Sequence, residues 1–386
     1  MIRKTVKSIA QKVISNNYKT LNFIEIDSKK LLSNIGIVAK SSGGQKIFAV
    51  LKSNAYGHGL KQVAKILNDC PYVEFIAVDG YFEAAKTRDI TKKKILVMGY
   101  ILPENFDLLD TKRCSLVIQS SDDLLRLSKL NKAVNIHMEL NSGMNRLGIH
   151  IEEIEDYLAV LSKYPKLHLE GVMTHLADAD NEMDNSFTND QVELFDAAVS
   201  KILKLGFKPQ YIHIAQTAGS VKADSKYANA IRLGIGSYGI NPLNNKDQMS
   251  TELAALKPVL ELKSTIVKTI DLKKGDRVSY NGIYQAKGNE RIGVLPLGYY
   301  EGLDRRLSNK AVLRAKGHNL PVRGRICMNH TMVDISGTDL QVGDQVTVVS
   351  NNSNDPNSIN KLCLQFDLFS YELLTGLSES IRRYIV

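Results

Sequence analysis

Eight short runs rich in β-branched residues recur through the first two thirds of the chain. They are KIFAVLK (46–52), FIAVDG (75–80), KILVMG (94–99), SLVIQ (115–119), VNIHMEL (134–140), HLEGVMTH (168–175), YIHIAQ (211–216) and AIRLGIG (230–236). Most lack the polar–apolar alternation of a half-exposed strand, and with their β-branched content this suits strands buried on both faces. The segments between them carry apolar residues at helical spacing, as in LKQVAKIL (60–67) and VELFDAAVSKILKLG (192–206). Eight β–α repeats in roughly 200 residues predict an α/β fold of the TIM (β/α)8 barrel type. An open doubly wound sheet is the alternative. It sets no particular strand count, so eight favours the barrel.

After about residue 245 the texture changes. LKSTIVKTIDL, RIGVLPLGYY, AVLRAKG, LPVRGRICM, HTMVDIS and DQVTVVS are short runs separated by Gly, Asn and Asp. That pattern predicts a C-terminal all-β domain, with NNSNDPNS (351–358) as a polar loop and SYELLTGLSESIRRY as a partly helical tail. The expected division is a basic extension over 1–20, a barrel over 21–245 and a β-domain over 246–386. In the extension, Val6, Ile9, Val13 and Ile14 recur at the spacing of a short amphipathic helix, and no continuous apolar core of a secretory signal is present. An apolar content of 44% with 24% charged residues excludes a largely disordered chain. The net charge of +9 is spread along 386 residues that include no Trp, so it does not argue for a nucleic-acid partner. No apolar run reaches the roughly 18 residues of a membrane span. Cys70, Cys114, Cys327 and Cys363 are far apart and form no C-x-x-C pair, which fits a reducing, cytoplasmic compartment and gives no metal site.

In a TIM barrel, function belongs at the C-terminal ends of the strands. There the sequence places Lys52 before SNAYGHG, Glu139 before NSGMNRLG, His175, Gln216 with Thr217, and Arg232 before LGIG. A strand-end lysine is commonly an ion-pair partner, but one leaving a buried strand can also act as an amine nucleophile or Schiff base. Gly57 and Gly59 allow close backbone approach, and Tyr56 can offer a hydroxyl to a phosphate. Gly234 and Gly236 flank Ile235 in a turn whose N–H groups can cradle phosphate oxygens, and Thr217 can add a hydroxyl. Each signal alone is weak. Together they point to a phosphorylated cofactor beside a reactive lysine.

AVLKSNAYGHG closely resembles the pyridoxal-phosphate lysine motif of the alanine racemase family. The resemblance continues, in order, at SGMNRLG, THLADAD, HIAQTAGS, RLGIGSYG, RVSYNGIY, LPLGYYEG, GRICMNHTMVDIS and SYELLTGLS. It covers nearly the whole chain from about residue 21. It implies a pyridoxal 5'-phosphate enzyme built from a barrel and a β-domain, working as a homodimer with shared active sites on a small amino acid, and supplying D-alanine for peptidoglycan. By position, Lys52 would hold the cofactor and act as one base, and Tyr280 of the partner subunit would be the opposite base. Tyr56, Thr217, Gly234, Ile235 and Tyr371 match the phosphate shell. Arg232 matches the arginine facing the pyridine nitrogen, and Arg146 the one near the cofactor's phenolic oxygen and the substrate. His175 matches the histidine that links the tyrosine base to this network. Met328 matches the residue whose backbone meets the substrate carboxylate. Without the motifs, His175 reads as a satisfied core histidine, and Tyr280 and Met328 as packing residues. Racemisation requires two bases on opposite faces of a planar intermediate, and a tyrosine serves only where its anion is favoured.

The sequence departs from the family at several positions. Glu139 stands where many members have a carbamylated lysine that braces the arginine matched by Arg146. A carboxylate on a shorter stem would replace the carbamate, directly or through a water or chloride. Asn141, Gln216, Asn329 and the pair Tyr300–Glu301 also differ from the usual residues. The resemblance leaves serine as a second small substrate. A decarboxylase on the same plan would carry acidic partners for the pyridine nitrogen and a cysteine–aspartate pair, against which Arg232 and CMN (327–329) argue. The β-domain argues against a non-enzymatic cofactor carrier. A Schiff-base aldolase using Lys52 would show no cofactor absorption.

Overall fold

The computed structural model describes residues 18–243 and 246–386. The amphipathic helix expected through Val6, Ile9, Val13 and Ile14 lies outside the described residues, as does the boundary at 245.

All eight barrel strands form where the β-branched runs place them. They are β1 (Lys46–Val50), β2 (Val73–Val78), β3 (Lys94–Val97), β4 (Cys114–Ile118), β5 (Val134–Asn141), β6 (Leu167–Met173), β7 (Tyr211–His213) and β8 (Ala230–Leu233). Each pairs in parallel with the next. Strand β8 pairs back onto β1, from Ala230 opposite Lys46 to Leu233 opposite Ala49, which closes the barrel. Phe48, Phe75, Leu96, Val117, Met173 and Tyr211 fill its interior, the packed layers expected of this fold.

Helices follow most strands, each with an apolar face turned inward. In the helix Ser28–Ser41, which precedes β1, the Asp27 side chain accepts from the Lys30 amide as an N-cap, and Leu31, Ile35, Val38 and Ala39 bury one stripe. Two expected helices are weaker than the repeat predicts. After β3 the chain makes only the 3₁₀ turn Pro103–Leu108, with Pro103 at its start, and after β7 only the short helix Gly219–Lys222. Two expected strands also end early. β8 stops at Leu233 because Gly234 leaves the extended region (φ −99°, ψ −105°) and Ile235–Tyr238 turns as a 3₁₀ helix. β7 stops at His213.

The second unit is strand-rich. A six-stranded sheet contains Leu260–Thr265, whose residues alternate buried and half-buried, beside Gln345–Val349 and Asn22–Ile26. A three-stranded sheet joins Lys268–Leu272, Glu290–Leu295 and Thr331–Asp334. The two units are not consecutive stretches of chain. The strand-rich unit takes the described residues up to Glu25, Glu261–Val349 and Ser380–Tyr384, whereas the barrel unit takes Ile26–Leu260 and also Ser350–Glu379. No helix among the described residues is long and apolar enough to cross a membrane.

Candidate active site

Past the end of β1 the backbone does something unusual. Ser53, Asn54, Ala55 and Tyr56 all have φ between 51° and 54°, a left-handed turn of four residues that are not glycine. Such a conformation costs about 1–2 kcal/mol per residue, so the surroundings must hold it. The Ala55 amide donates to the Leu51 carbonyl (2.8 Å) and the Gly59 amide to the Asn54 carbonyl (2.9 Å). The Ser53 amide donates to Glu83 Oε1 (2.7 Å), and the Leu60 amide to Asn54 Oδ1 (2.9 Å). Gly57 ends the turn at φ 79°, where a Cβ would lie 1.9 Å from the Leu374 carbonyl oxygen. The turn carries Lys52 and Tyr56 to the rim of a cavity of ≈ 530 Å³ at the C-terminal end of the barrel, a size suited to a small ligand or cofactor.

The cavity wall also carries hydroxyl and amide groups that could hold an anion. Gly234 packs so closely on Tyr56 that a Cβ there would lie 2.6 Å from the tyrosine hydroxyl. The Gly236 amide donates to Thr217 Oγ1 (3.1 Å), which ties the turn to the end of β7. Ile235 opens a helical turn, where the first N–H groups have no partner within the helix. Tyr371 brings its ring to 6.0 Å from that of Tyr56. Burial, reinforced by Tyr371, pushes the Tyr56 hydroxyl well above its ordinary value. Burial together with Asp180 pushes that of Tyr371 to about 12. Both remain protonated and able to donate.

Arg232, on β8, is only 3% exposed. Its Nη1 donates to His213 Nδ1 (2.9 Å) and the His213 carbonyl (2.8 Å). Its Nη2 donates to the Thr174 and Ile214 carbonyls (2.6 and 3.1 Å) and to His175 Nδ1 (3.1 Å). The four terminal N–H groups are thus spent on the protein, and Nε–H is the donor left for the cavity that Arg232 lines. Burial lowers its pKa to about 10, with Glu139 opposing the shift, so it stays cationic at neutral pH. His175 has its pKa lowered to about 3 by burial and then by Arg232, Arg146 and Lys52. It is neutral, and because its Nδ1 accepts from arginine, its proton sits on Nε2.

Glu139 makes no direct contact of the bracing kind with Arg146. It is 6% exposed and accepts from Gln119 Nε2 (3.0 Å). No ion pair within 4 Å joins it to Arg146, which is exposed; the two interact only through the field. Burial raises the Glu139 pKa, against the pull of Arg232, the Gln119 bond and Arg146.

The structure therefore gathers Lys52, Tyr56, Arg146, His175, Thr217, Arg232, Gly234, Ile235 and Tyr371 around one cavity. Tyr280 and Met328 belong to the strand-rich unit, where they are 67% and 54% exposed. Residues that sequence reasoning passed over include Gln119, Glu83 and the histidines behind Arg232. A signal for the last was present: VNIHMEL and YIHIAQ each place a histidine between apolar neighbours in a barrel strand, and a buried polar group is the informative observation.

A closed parallel barrel with Lys52, hydroxyl and amide donors and a carbonyl-clamped Arg232 gathered at its strand ends has the plan of a barrel enzyme. Comparison with known proteins agrees. Residues 26–242 match the model of the alanine racemase N-terminal domain, and residues 259–385 that of the alanine racemase C-terminal domain. The alanine racemase of Aquifex aeolicus is 32% identical over 364 residues, 94% of this chain and 98% of the relative. That of Staphylococcus saprophyticus is 32% identical, with 96% of each covered. Among solved structures, alanine racemase from Clostridium difficile 630 superposes with a TM-score of 0.87 at 27% identity, covering 96% of this chain and 97% of that one. The Bacillus anthracis enzyme with bound L-Ala-P gives 0.84 at 28%, with 96% of each chain covered. The chain belongs to the alanine racemase family and is an amino-acid isomerase of that kind.

Proposed function

We propose that this enzyme interconverts L- and D-alanine with pyridoxal 5'-phosphate, using Lys52 and Tyr280 of the partner subunit as its two bases. The observation that supports the cofactor most strongly is the convergence on one cavity of Lys52, the cradle of Tyr56, Thr217, Gly234 and Ile235, and the Nε–H of Arg232. These residues fit the group: an amine for its aldehyde, neutral hydroxyl and amide donors for its phosphate, and a donor for its ring nitrogen. When bound, the cofactor supplies an electron-withdrawing ring that makes the substrate Cα proton removable. Arg232 can only donate, so it would hold a facing ring nitrogen unprotonated, which would limit transamination. Lys52 holds or delivers a proton on one face and Tyr280 of the partner subunit on the other. His175, neutral with its proton on Nε2, would donate to that tyrosine's oxygen and favour its anion. Met328 offers backbone to the substrate carboxylate. The working unit is a homodimer in the cytoplasm, and its D-alanine enters peptidoglycan.

The test is an absorption spectrum of the purified protein with a chiral amino-acid assay. A cofactor band lost in Lys52→Ala is expected. Tyr280→Phe should keep the band and lose about 100-fold or more in turnover. A wild-type protein without the band overturns the cofactor reading, and full activity in Tyr280→Phe overturns the two-base assignment.

A further inference from the structure

Behind Arg232 the barrel interior contains polar groups that the proposed chemistry does not use. His213 Nε2 lies 2.8 Å from His137 Nδ1, and His137 Nε2 lies 3.3 Å from Glu170 Oε2. Glu170 also accepts from Lys94 Nζ (2.8 Å) and Asn135 Nδ2 (3.2 Å) on Oε1, and from the Ser115 hydroxyl on Oε2. Both imidazoles are fully buried, walled by Phe48, Phe75 and Tyr211. The space for one of them is made by a glycine: a Cβ on Gly171 would lie 2.3 Å from His137 Nδ1.

The direction of this chain is set from both ends. Arginine cannot accept, so His213 Nδ1 must be bare and its proton must sit on Nε2. That proton is donated to His137 Nδ1, so the His137 proton must sit on Nε2 and point at Glu170. An ionised glutamate cannot donate, so the far end demands the same arrangement. A second proton on either ring would set donor against donor. Burial also lowers the pKa of both histidines. Burial alone would raise that of Glu170, but His137, Lys94 and Ser115 bring it down to about 2.

We propose that Glu170, on β6 and outside the cavity, is a positioning residue for Arg232, fixing through His137 and His213 the one proton arrangement in which His213 Nδ1 can accept from the guanidinium. The proposal deepens the reading that Arg232 faces the cofactor ring and rests on it for its effect on turnover. With the chain set, Arg232 Nη1 is held on β7 and Nε–H is aimed consistently at the cavity. With the chain free to reverse, His213 would present N–H to the arginine and push it away.

The test uses the holoenzyme carrying ¹⁵N-labelled histidine, read by side-chain ¹⁵N NMR beside racemisation kinetics. In the wild type, His137 and His213 are expected to be neutral and protonated at Nε2. Either ring protonated at Nδ1 overturns the proposal. Glu170→Gln replaces the acceptor-only end with an amide that can also donate. It is expected to give mixed or reversed tautomers and a fall of about tenfold in kcat, with KM held within about twofold. Lys94→Met removes a charge pair from the same carboxylate without changing the chain's direction, and is expected to keep the tautomers and kcat within about twofold. Unchanged tautomers in Glu170→Gln, or equal losses in both variants, overturn the proposal. If Glu170→Gln does not fold, the wild-type tautomers decide alone. A wild type with the expected tautomers but no cofactor band would sink the cofactor reading and leave the hydrogen-bond chain standing.

Discussion

At Glu139 a short carboxylate occupies ground where the resemblance would place a long carbamate, and it is bonded to Gln119 while Arg146 stays beyond ion-pair distance. A glutamate needs no carbon dioxide to present a carboxyl group at this position. Racemase activity is expected not to rise when bicarbonate is added to the assay, and a clear stimulation would contradict this. Gly57 makes a different demand. Both its φ of 79° and the 1.9 Å approach of the Leu374 oxygen exclude a side chain. Gly57→Ala is expected to destabilise the enzyme by about 2–4 kcal/mol, read as a lower urea midpoint. Much of this scale was legible in the sequence: Lys52, His175 and Arg232, which line the cavity, were singled out because a polar residue ending an apolar strand is conspicuous. Glu170, Gln119 and Glu83 were not, because a carboxylate or amide in a strand or helix looks the same whether it anchors a site or meets water.

Among elements, the barrel strands were plain because a strand buried on both faces must be continuously apolar and β-branched. The short turns after β3 and β7 were not, since a regular repeat invites an expectation of eight equal helices. The left-handed turn after β1 was wholly hidden. Ser, Asn, Ala and Tyr carry no mark of positive φ, and only Gly57 and Gly59 beside them hinted at a special backbone. Its strain is held by hydrogen bonds from Glu83, Asn54 and the chain itself. Relieving one position should therefore stabilise the protein. Ser53→Gly, which keeps the amide bonded to Glu83, is expected to raise stability by about 1 kcal/mol, and an unchanged or lower urea midpoint would show that the turn is not strained at that residue.

Taken as a molecule, the enzyme holds His137, His175 and His213 in neutral form, desolvation being the main cause. Their folded pKa values lie below the ordinary 6.5, so on acidification the unfolded chain takes up protons first. Stability from this source is complete above about pH 6.5 and is lost as the pH falls below it, down toward about 3 for His175. Each histidine contributes a slope of about 1.4 kcal/mol per pH unit within that window. The urea midpoint is expected to fall markedly between pH 7.5 and 5.5, and a flat profile would mean that these rings are charged in the folded state. The division into barrel and strand-rich parts was readable from texture, but the return of Ser350–Glu379 to the barrel was not, because a chain's local composition does not say which unit a segment rejoins.

That return has a consequence for how the protein is made. A ribosome releases Lys52 early and Tyr371 more than 300 residues later, which at ordinary elongation rates is roughly 15–60 s. Until Leu374 emerges, nothing presses its carbonyl on Gly57. The nascent barrel must wait with Lys52, Tyr56, Thr217, Gly234 and Ile235 made, and the wall that Tyr371 and Thr375 add to the cavity arrives long after them.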